Sequence, residues 1–450
     1  MRGHRRDYDD WAQTGLPGWG YADVLPYFKR AEGHAQRHDA FHGTQGPFRV
    51  VKAKGDNPLY RAFLEAAFAA APEHGARPND DFNGADQEGL GLYDFNIRNG
   101  RRESAATAYL RPAHGRKNLE IRTGALARHV VIEEGRAVGV AFRRNGREEV
   151  VRARREVILC GGAVATPGIL ERSGIGDPEV LRAAGIEPRL ERPAVGANLH
   201  DHLGVYLTYA CAKPVTLYGL MRTDRALIAG ARALLFGTGP ATSVPLEAGG
   251  FLRTRPELEI PDIHMTFVPG LNLETTRSGQ GRHGYLINFY PLRPESRGTV
   301  HVRSAEPDAA PLIDPAYLSA EADRRVMRDG VRLAEQIGAG APLRDWQAGR
   351  LSPEAPLETD EAIDAWVRAT ANTIFHPVGS CRMGADAAAV VDAELKVRGV
   401  EGLRVADASV MPRIVGGNTS APTMMIGEKA ADLVLGRPPP PAEDPAEAAA

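Results

Sequence analysis

The last strand, turn and helix of this chain restrict its possible folds more than any other segment. Residues 403–405 have the pattern of a short buried strand, and a glycine-rich turn follows. The sequence NTS at 418–420, with Pro422 two residues later, is typical of a helix start, with a hydroxyl residue as cap. The helix should run to Leu435 and end at Gly436. Its first turn presents unpaired N–H groups and a positive partial charge, which suits an anion or a ring that becomes anionic on reduction.

Two polar residues in this region, His376 and Asn418, are candidates for chemistry. Histidine has the unperturbed side-chain pKa closest to neutrality, so His376 beside a hydroxyl could take its proton. Asn418 could donate a hydrogen bond to the same oxygen. The structural alternatives are a buried histidine without a catalytic role and an asparagine that only caps a turn.

Several long stretches resemble the glucose–methanol–choline (GMC) flavin oxidoreductases, in the order in which that family carries them. They are GGAVATPGILERSGIG (161–176), VGANLHDH (195–202), the segment 294–319, HPVGSCRMG (376–384), LRVADASVMP (403–412) and GGNTSAPTMMIGEKAADL (416–433). The resemblance implies an α/β fold. An FAD-binding, doubly wound, Rossmann-like domain would be interleaved with an α+β substrate domain built on an antiparallel sheet.

The resemblance also implies a domain layout. Residues 1–204 would mainly supply the FAD-binding domain, 205–395 the substrate domain, 396–436 a return to the FAD domain, and 437–450 a disordered tail. The family begins with a strand, a GxGxxG turn and a helix, whereas this sequence starts after them. We therefore expect an N-terminally truncated FAD domain, and a chain that as written is poorly soluble and lacks flavin. The string GxGxxG at 279–284 lacks a preceding strand and is interpreted as a surface loop.

The site residues follow from the same resemblance. His376 and Asn418 would be catalytic, whereas contacts to FAD would come from Ala127, Gly161, Gly162, Asp407, Ala408, Asn418 and Thr419. The absence of a Cβ at the two glycines lets the backbone approach a cofactor, although a tight strand-to-helix turn would also explain them. After them, Thr166-Pro167 is predicted to start a helix that ends at Ser173-Gly174.

The implied reaction is the oxidation of a primary alcohol, choline-like or other, to the aldehyde. A histidine would remove the hydroxyl proton and a hydride would pass to flavin N5, with oxygen or a quinone as electron acceptor. The alternatives are a flavin-fold lyase without net redox change and an inactive remnant. A hydrolase is not favoured, because the chain has no GxSxG nucleophile elbow.

Composition restricts partners and location. A net charge of −2 gives no indication of nucleic acid as a partner, and no apolar run reaches the ~18 residues of a membrane span. Three widely separated cysteines argue against a disulfide framework and for a reducing compartment. With no signal peptide recognisable, we expect a cytoplasmic protein, with a peripheral location at the membrane as the alternative. The oligomeric state stays open.

A metal site is the last alternative. His34, His38 and His42 are spaced four residues apart, as ligands on one helix face would be. Gly33 and Gly43 make a loop the better interpretation, so no metal is predicted.

Overall fold

The computed structural model describes residues 1–271 and 281–445. Its α-helices are Arg5–Gln13, Tyr21–Ala31, Pro58–Ala70, Arg111–Ala113, Gly162–Arg172, Pro178–Ala183, Thr223–Phe236, Glu321–Gly338, Ala341–Arg344, Asp360–Thr370 and Ser420–Leu435. A π-helical turn spans Ala106–Leu110.

The largest sheet is antiparallel and has seven strands. In spatial order they are Gln347–Ser352, Leu203–Cys211, Gly284–Pro291, Ile263–Val268, Ala248–Leu252 and Gly89–Leu92, with Asn372–Thr373 paired to one end of Leu203–Cys211. An antiparallel three-stranded sheet contains Ala125–Glu133, Arg136–Arg144 and Arg147–Arg152. The other strands are Glu32–His34, Phe48–Lys52, Asp94–Phe95, Ile97–Arg98, Arg101–Arg102, Val157–Leu159, Ile175–Gly176, Leu190–Glu191, Thr299–His301, Leu312–Asp314 and Leu403–Val405.

Strand alternation gives the large sheet two different faces. Side chains alternate between the faces along a strand, so odd and even positions meet different surroundings. Tyr285, Ile287 and Phe289 pack in the core that also contains the helices Pro58–Ala70 and Glu321–Gly338. The intervening Asn288 and Tyr290 instead line a cavity on the other face, as do His264 and Thr266 on the neighbouring strand.

A parallel strand pair forms the centre of the second core. Val157–Leu159 pairs in parallel with Leu403–Val405, as expected for a doubly wound arrangement. Apolar side chains of these strands pack in one core with those of the helices Gly162–Arg172 and Ser420–Leu435. The predicted strand at 403–405 and the helix ending at Gly436 are therefore confirmed.

The C-terminal helix Ser420–Leu435 packs directly on the N-terminal helix Tyr21–Ala31. The Lys429 ammonium donates to the carbonyl of Gly18 at 2.7 Å and lies 5.0 Å from the centroid of the Trp19 ring. An ion pair of 2.7 Å between Arg30 and Asp432 also links the two helices. The first and last segments of the chain thus share one core.

Local chain geometry differs from the sequence interpretation at one glycine pair. The helix predicted to start at Thr166-Pro167 begins at Gly162, and Pro167 lies inside it. Gly162 has φ of +80°, a conformation that L-residues rarely adopt, and the Gly162 N–H donates to the Asp407 carboxylate at 2.9 Å. The helix can therefore begin on this carboxylate, four residues earlier than the sequence indicates.

Other predicted segments fall partly outside the described residues. Positions 279 and 280 of the GxGxxG string lie outside the described residues, whereas Gly284 begins a strand of the large sheet. Residues 446–450 of the predicted disordered tail also do. Before them, Glu443 pairs with Lys29, and Asp444 lies 2.6 Å from Arg5. Over the described ranges, no helix is both long and apolar enough to cross a membrane.

Candidate active site

A cavity of about 310 Å³ lies between the large sheet and the start of the C-terminal helix. Its sheet side is lined by aromatic and polar residues, among them Tyr93, His264 and Tyr290. Its helix side is lined by Asn418 and the first helical turn, including Ala421. A pocket of this size with a few convergent polar groups is the usual form of a small-molecule site.

The ring of His376 contacts Asn418, which lines this cavity, and the main chain around His376 is held in one conformation. The preceding residue, Phe375, takes φ of 61°, a left-handed conformation that is strained for a bulky residue. The His376 N–H donates to the Asp201 carboxylate at 2.7 Å. The second Asp201 oxygen accepts from the hydroxyl of Tyr317 at 2.5 Å and from that of Thr373. Asp201 therefore fixes the main chain from which the His376 ring extends.

Both nitrogens of the His376 ring have polar neighbours. The amide nitrogen of Asn418 lies 3.0 Å from His376 Nε2. On the other side, His376 Nδ1 lies 3.0 Å from His202 Nδ1. The remaining nitrogen of His202, Nε2, lies 2.9 Å from the carbonyl oxygen of Leu292. The structure thus brings the two predicted catalytic residues together and adds a third side chain behind them.

Burial changes the protonation of His376. Removal from water disfavours the charged ring and lowers the pKa of His376 to about 4, although the negative charge of Asp201 acts in the opposite direction. The sequence interpretation used the unperturbed pKa near neutrality. With the lowered pKa the ring is neutral at pH 7, so one of its nitrogens is free to accept a proton.

The C-terminal helix fits the chemistry of a flavin ring. It begins at Ser420, with Thr419 at the cap position and, within the described part of the chain, no hydrogen bond from the Thr419 side chain to the first turn. A helix start without a side-chain cap leaves N–H groups available for a negatively charged acceptor. Because this turn lines the cavity, the residues present fit a flavin that gains negative charge on reduction.

The glycine turn at 161–162 fits close approach of a cofactor. A Cβ added to Gly162 would meet no atom of the described residues within 4 Å, so the turn borders open space. The Asp407 carboxylate accepts from the Gly162 N–H, the Thr166 hydroxyl and both the N–H and the hydroxyl of Ser409. Four donors occupy this carboxylate, so it holds the turn in place.

Two further predicted FAD contacts, Ala127 and Ala408, are not among the residues that line the cavity. Ala127 lies on the strand Ala125–Glu133, next to a bulge. Ala408 follows Asp407 in a short 3₁₀ turn, and its carbonyl accepts from the Gly379 N–H at 3.3 Å. Their roles toward FAD stay predictions.

Sequence reasoning missed several residues around His376. His202 and Asp201 both belong to VGANLHDH, which the sequence analysis used only as a family stretch. The Tyr290 ring contacts the His202 ring at a centroid distance of 4.8 Å with a tilt of 31°, and its hydroxyl lies 2.5 Å from His264 Nδ1. The two histidines flanking Asp201 were the available signal, but only the fold connects them to residue 376.

Comparison with known proteins supplies the family. Residues 1–204 and 294–427 each match a family model described as GMC oxidoreductase. The oxygen-dependent choline dehydrogenase of Brucella anthropi is 43% identical over 441 residues, which cover 98% of this chain and 79% of the relative. The chain belongs to the GMC oxidoreductase family. Membership confirms the predicted class of enzyme, an FAD-dependent choline dehydrogenase-like oxidoreductase, and its cofactor, FAD.

Other members of the GMC family agree in sequence and in structure. The mitochondrial choline dehydrogenase of Homo sapiens is 42% identical over 440 residues, covering 97% of this chain and 73% of that protein. The crystal structure of pyridoxine 4-oxidase from Mesorbium loti superimposes with a TM-score of 0.86 at 31% identity, covering 97% of this chain and 82% of that one. The predicted fold class, an FAD-binding domain joined to a substrate domain, is thereby confirmed.

Proposed function

We propose that this GMC oxidoreductase oxidises a primary alcohol of the choline type to the aldehyde, with His376 as the base. The observation that supports it most directly is the 3.0 Å contact between His376 Nε2 and Asn418, which lines the cavity. A neutral imidazole accepts the hydroxyl proton, and the Asn418 amide donates to the oxygen as negative charge develops there. FAD, which the glycine turn at 161–162 and the first turn of the C-terminal helix would hold, would supply the two-electron acceptor for the hydride, at its N5.

The lining of the cavity supports a cationic alcohol. Tyr93, Phe95 and Tyr290 contribute aromatic rings, which attract quaternary ammonium groups. Asp94 also lines the cavity. Among the described residues its Oδ1 has no hydrogen-bond partner, and the basic groups near the carboxylate are His34 Nε2, 3.5 Å from Oδ1, and Arg37 Nε, 3.8 Å from Oδ2. The names of the two relatives reported above, both choline dehydrogenases, point to the same substrate class.

The electron acceptor and the location are further parts of the proposal. The Brucella anthropi relative is named oxygen-dependent, which supports oxygen as acceptor, and a quinone is the alternative. Oxygen consumption measured with and without an added quinone would distinguish the two. The cytoplasmic location remains a prediction from composition.

The experiment that tests the function mixes the FAD-loaded protein with choline in the absence of oxygen. We expect loss of the yellow flavin absorbance and one betaine aldehyde formed per flavin reduced. The neutral carbon isostere of choline should react more slowly, and Asp94→Asn should reduce this preference for the cation. If choline and other primary alcohols leave the flavin oxidised, the proposal is wrong. A substrate converted with the flavin still oxidised would indicate a lyase instead.

A further inference from the structure

The fully buried His202 has no role in the reaction as proposed so far, although it contacts the base. It lies on the segment 195–202, one residue after Asp201 and 174 residues before His376. Its two ring nitrogens face different partners, a carbonyl oxygen and another imidazole. Because hydrogen bonding through one ring nitrogen determines the state of the other, these partners specify where the protons lie.

The deduction starts at the carbonyl of Leu292. A carbonyl oxygen can only accept, so His202 Nε2, at 2.9 Å, must carry a proton and donate. Burial lowers the pKa of His202 well below its usual value, which keeps this ring neutral with a single proton. Its Nδ1 therefore carries a lone pair.

The same logic passes to the next ring. The contact of 3.0 Å between the two Nδ1 atoms needs one donor, and His202 Nδ1 is the acceptor, so His376 Nδ1 carries the proton. A neutral His376 then has its lone pair on Nε2. At that end, the amide nitrogen of Asn418 can only donate, and it lies 3.0 Å from Nε2. The Leu292 carbonyl at one end and the Asn418 amide at the other therefore both require the proton of His376 to lie on Nδ1.

We propose that His202 is a positioning residue that holds His376 in the Nδ1–H tautomer, so that the Nε2 lone pair, which accepts from the Asn418 amide in this structure, is the one that takes the hydroxyl proton of the substrate. The inference deepens the proposed function and rests on it for its catalytic meaning. The opposite tautomer would place a proton on Nε2, where no base could act. The Leu292 carbonyl determines the direction of both hydrogen bonds, from His202 and from His376, because a backbone oxygen can only accept.

A neutral imidazole behind the base differs from a carboxylate in the same place. A carboxylate would orient the ring and also raise its pKa, whereas His202 orients it without adding charge. The negative charge near His376 comes from Asp201, which bonds to the backbone N–H of His376 and not to its ring. Orientation and charge are therefore supplied by adjacent but separate residues.

The test is nitrogen-15 NMR of the FAD-loaded protein with selectively labelled histidines, of which this sequence has 13. Two-bond correlations between ring protons and ring nitrogens distinguish the two neutral tautomers, and loss of one spin system in His376→Gln assigns His376. We expect the Nδ1–H form in the wild type at neutral pH. In His202→Phe, which keeps a ring but removes the acceptor, we expect the Nε2–H form or a mixture.

His200→Phe is the matched control. His200 is buried two residues earlier on the same segment, and neither of its ring nitrogens has a hydrogen-bond partner within the described ranges. This substitution should leave the His376 tautomer unchanged. In His202→Phe, turnover should fall by ~10²-fold or more with little change in KM, because the general base is lost and substrate binding is not.

Two results would overturn the assignment. One is a wild-type His376 with its proton on Nε2, and the other is a folded His202→Phe variant that keeps the Nδ1–H form. If that variant does not fold, the wild-type spectrum decides alone. The spectrum needs no substrate, so an Nδ1–H ring in a protein that oxidises no alcohol would contradict the proposed function and support the tautomer assignment.

Discussion

Two buried histidines in this protein, His42 and His376, differ in charge at neutral pH: the first is protonated and the second is neutral. His42 contacts Glu32 through Nδ1 and Asp81 through Nε2, each at 3.0 Å. Among the described residues, the hydrogen-bond partners of the His376 ring are neutral groups, those of His202 and Asn418. Burial lowers the pKa of both, but the two carboxylates raise that of His42 to about 9, whereas that of His376 stays at about 4.

The difference shows that ring partners, and not burial, decide which histidine is charged at neutral pH. His42 acts as a structural cation between two acids. Burial alone would raise the pKa of Glu32, but the charge of Arg2 and the contacts with His42 lower it to about 2. The His376 ring is uncharged at neutral pH and contacts Asn418, which lines the cavity. A general base must be uncharged in this way before it accepts a proton.

The largest effect expected from this contrast is on turnover. His376→Ala removes the base and should lower turnover by ~10²–10⁴-fold while FAD remains bound. Flavin reduction by rapid anaerobic mixing measures it, and the pH profile should lose the limb that belongs to the base. His200→Ala, which removes a buried histidine outside the site, should retain turnover per bound flavin. Wild-type turnover in His376→Ala would remove this residue from the mechanism.

The second effect concerns stability. His42→Leu leaves two carboxylates partly buried without their shared cation and should lower the free energy of unfolding by ~3–5 kcal/mol. Denaturant titration gives this value. The exposed His38 is the control, and His38→Leu should change stability by less than ~0.5 kcal/mol. Equal losses in the two variants would show that the charged cluster contributes nothing.

The third effect tests the neutral partner of His376. Asn418→Ala removes one donor to the developing charge and should lower turnover by ~10²-fold, with a smaller change in apparent affinity. Asn418→His keeps a donor and should be tolerated better. Loss of FAD alone, with turnover per bound flavin unchanged, would make Asn418 a residue of the cofactor site.

The smallest effect is a pair of shifts in stability with pH. The folded pKa of His42 lies above its ordinary value of 6.5, so its stabilisation is complete below pH 6.5 and is lost as the pH rises through about 9. The folded pKa of His376 lies below 6.5, so its stabilisation is lost as the pH falls from 6.5 through about 4. His42→Leu should flatten the alkaline limb of stability against pH, and His376→Ala the acidic limb. If His42→Leu flattened the acidic limb and His376→Ala the alkaline limb, the charge states of the two histidines would be the reverse of those described.

The sequence predicted those parts of the site that depend on neighbouring residues or that lie within a long stretch resembling the family. The C-terminal helix was predicted with its true end at Gly436, because capping chemistry is local. The helix at Gly162 was placed four residues late, because its N-terminal carboxylate, Asp407, lies 245 residues away in the chain. The domain boundaries stay a prediction.

The protonation state of the site could not be predicted in the same way. The two imidazoles that meet at His376 are 174 residues apart, and no local pattern links them. The pKa of His376 depends on burial, which appears only when the sheet and the C-terminal helix enclose the ring. The segment with His34, His38 and His42 was interpreted as a loop, and His38 and His42 do lie outside helices and strands, but His34 ends a strand that pairs with Phe48–Lys52, a partner that the local pattern does not show.

The packing of the first helices against the last has a consequence for synthesis on the ribosome. The Gly416 N–H bonds to Asp7 across 409 residues, and Lys429 to the carbonyl of Gly18 across 411. At ~5–20 residues per second, the early aromatic residues wait ~20–80 s before their partners emerge. Trp11 and Trp19 are buried in the folded protein. During that interval, however, their side chains are still exposed to water and can form non-native contacts. A chaperone that binds nascent aromatic segments would therefore stay on the segment of Trp11 and Trp19 until residues 416–429 have been made.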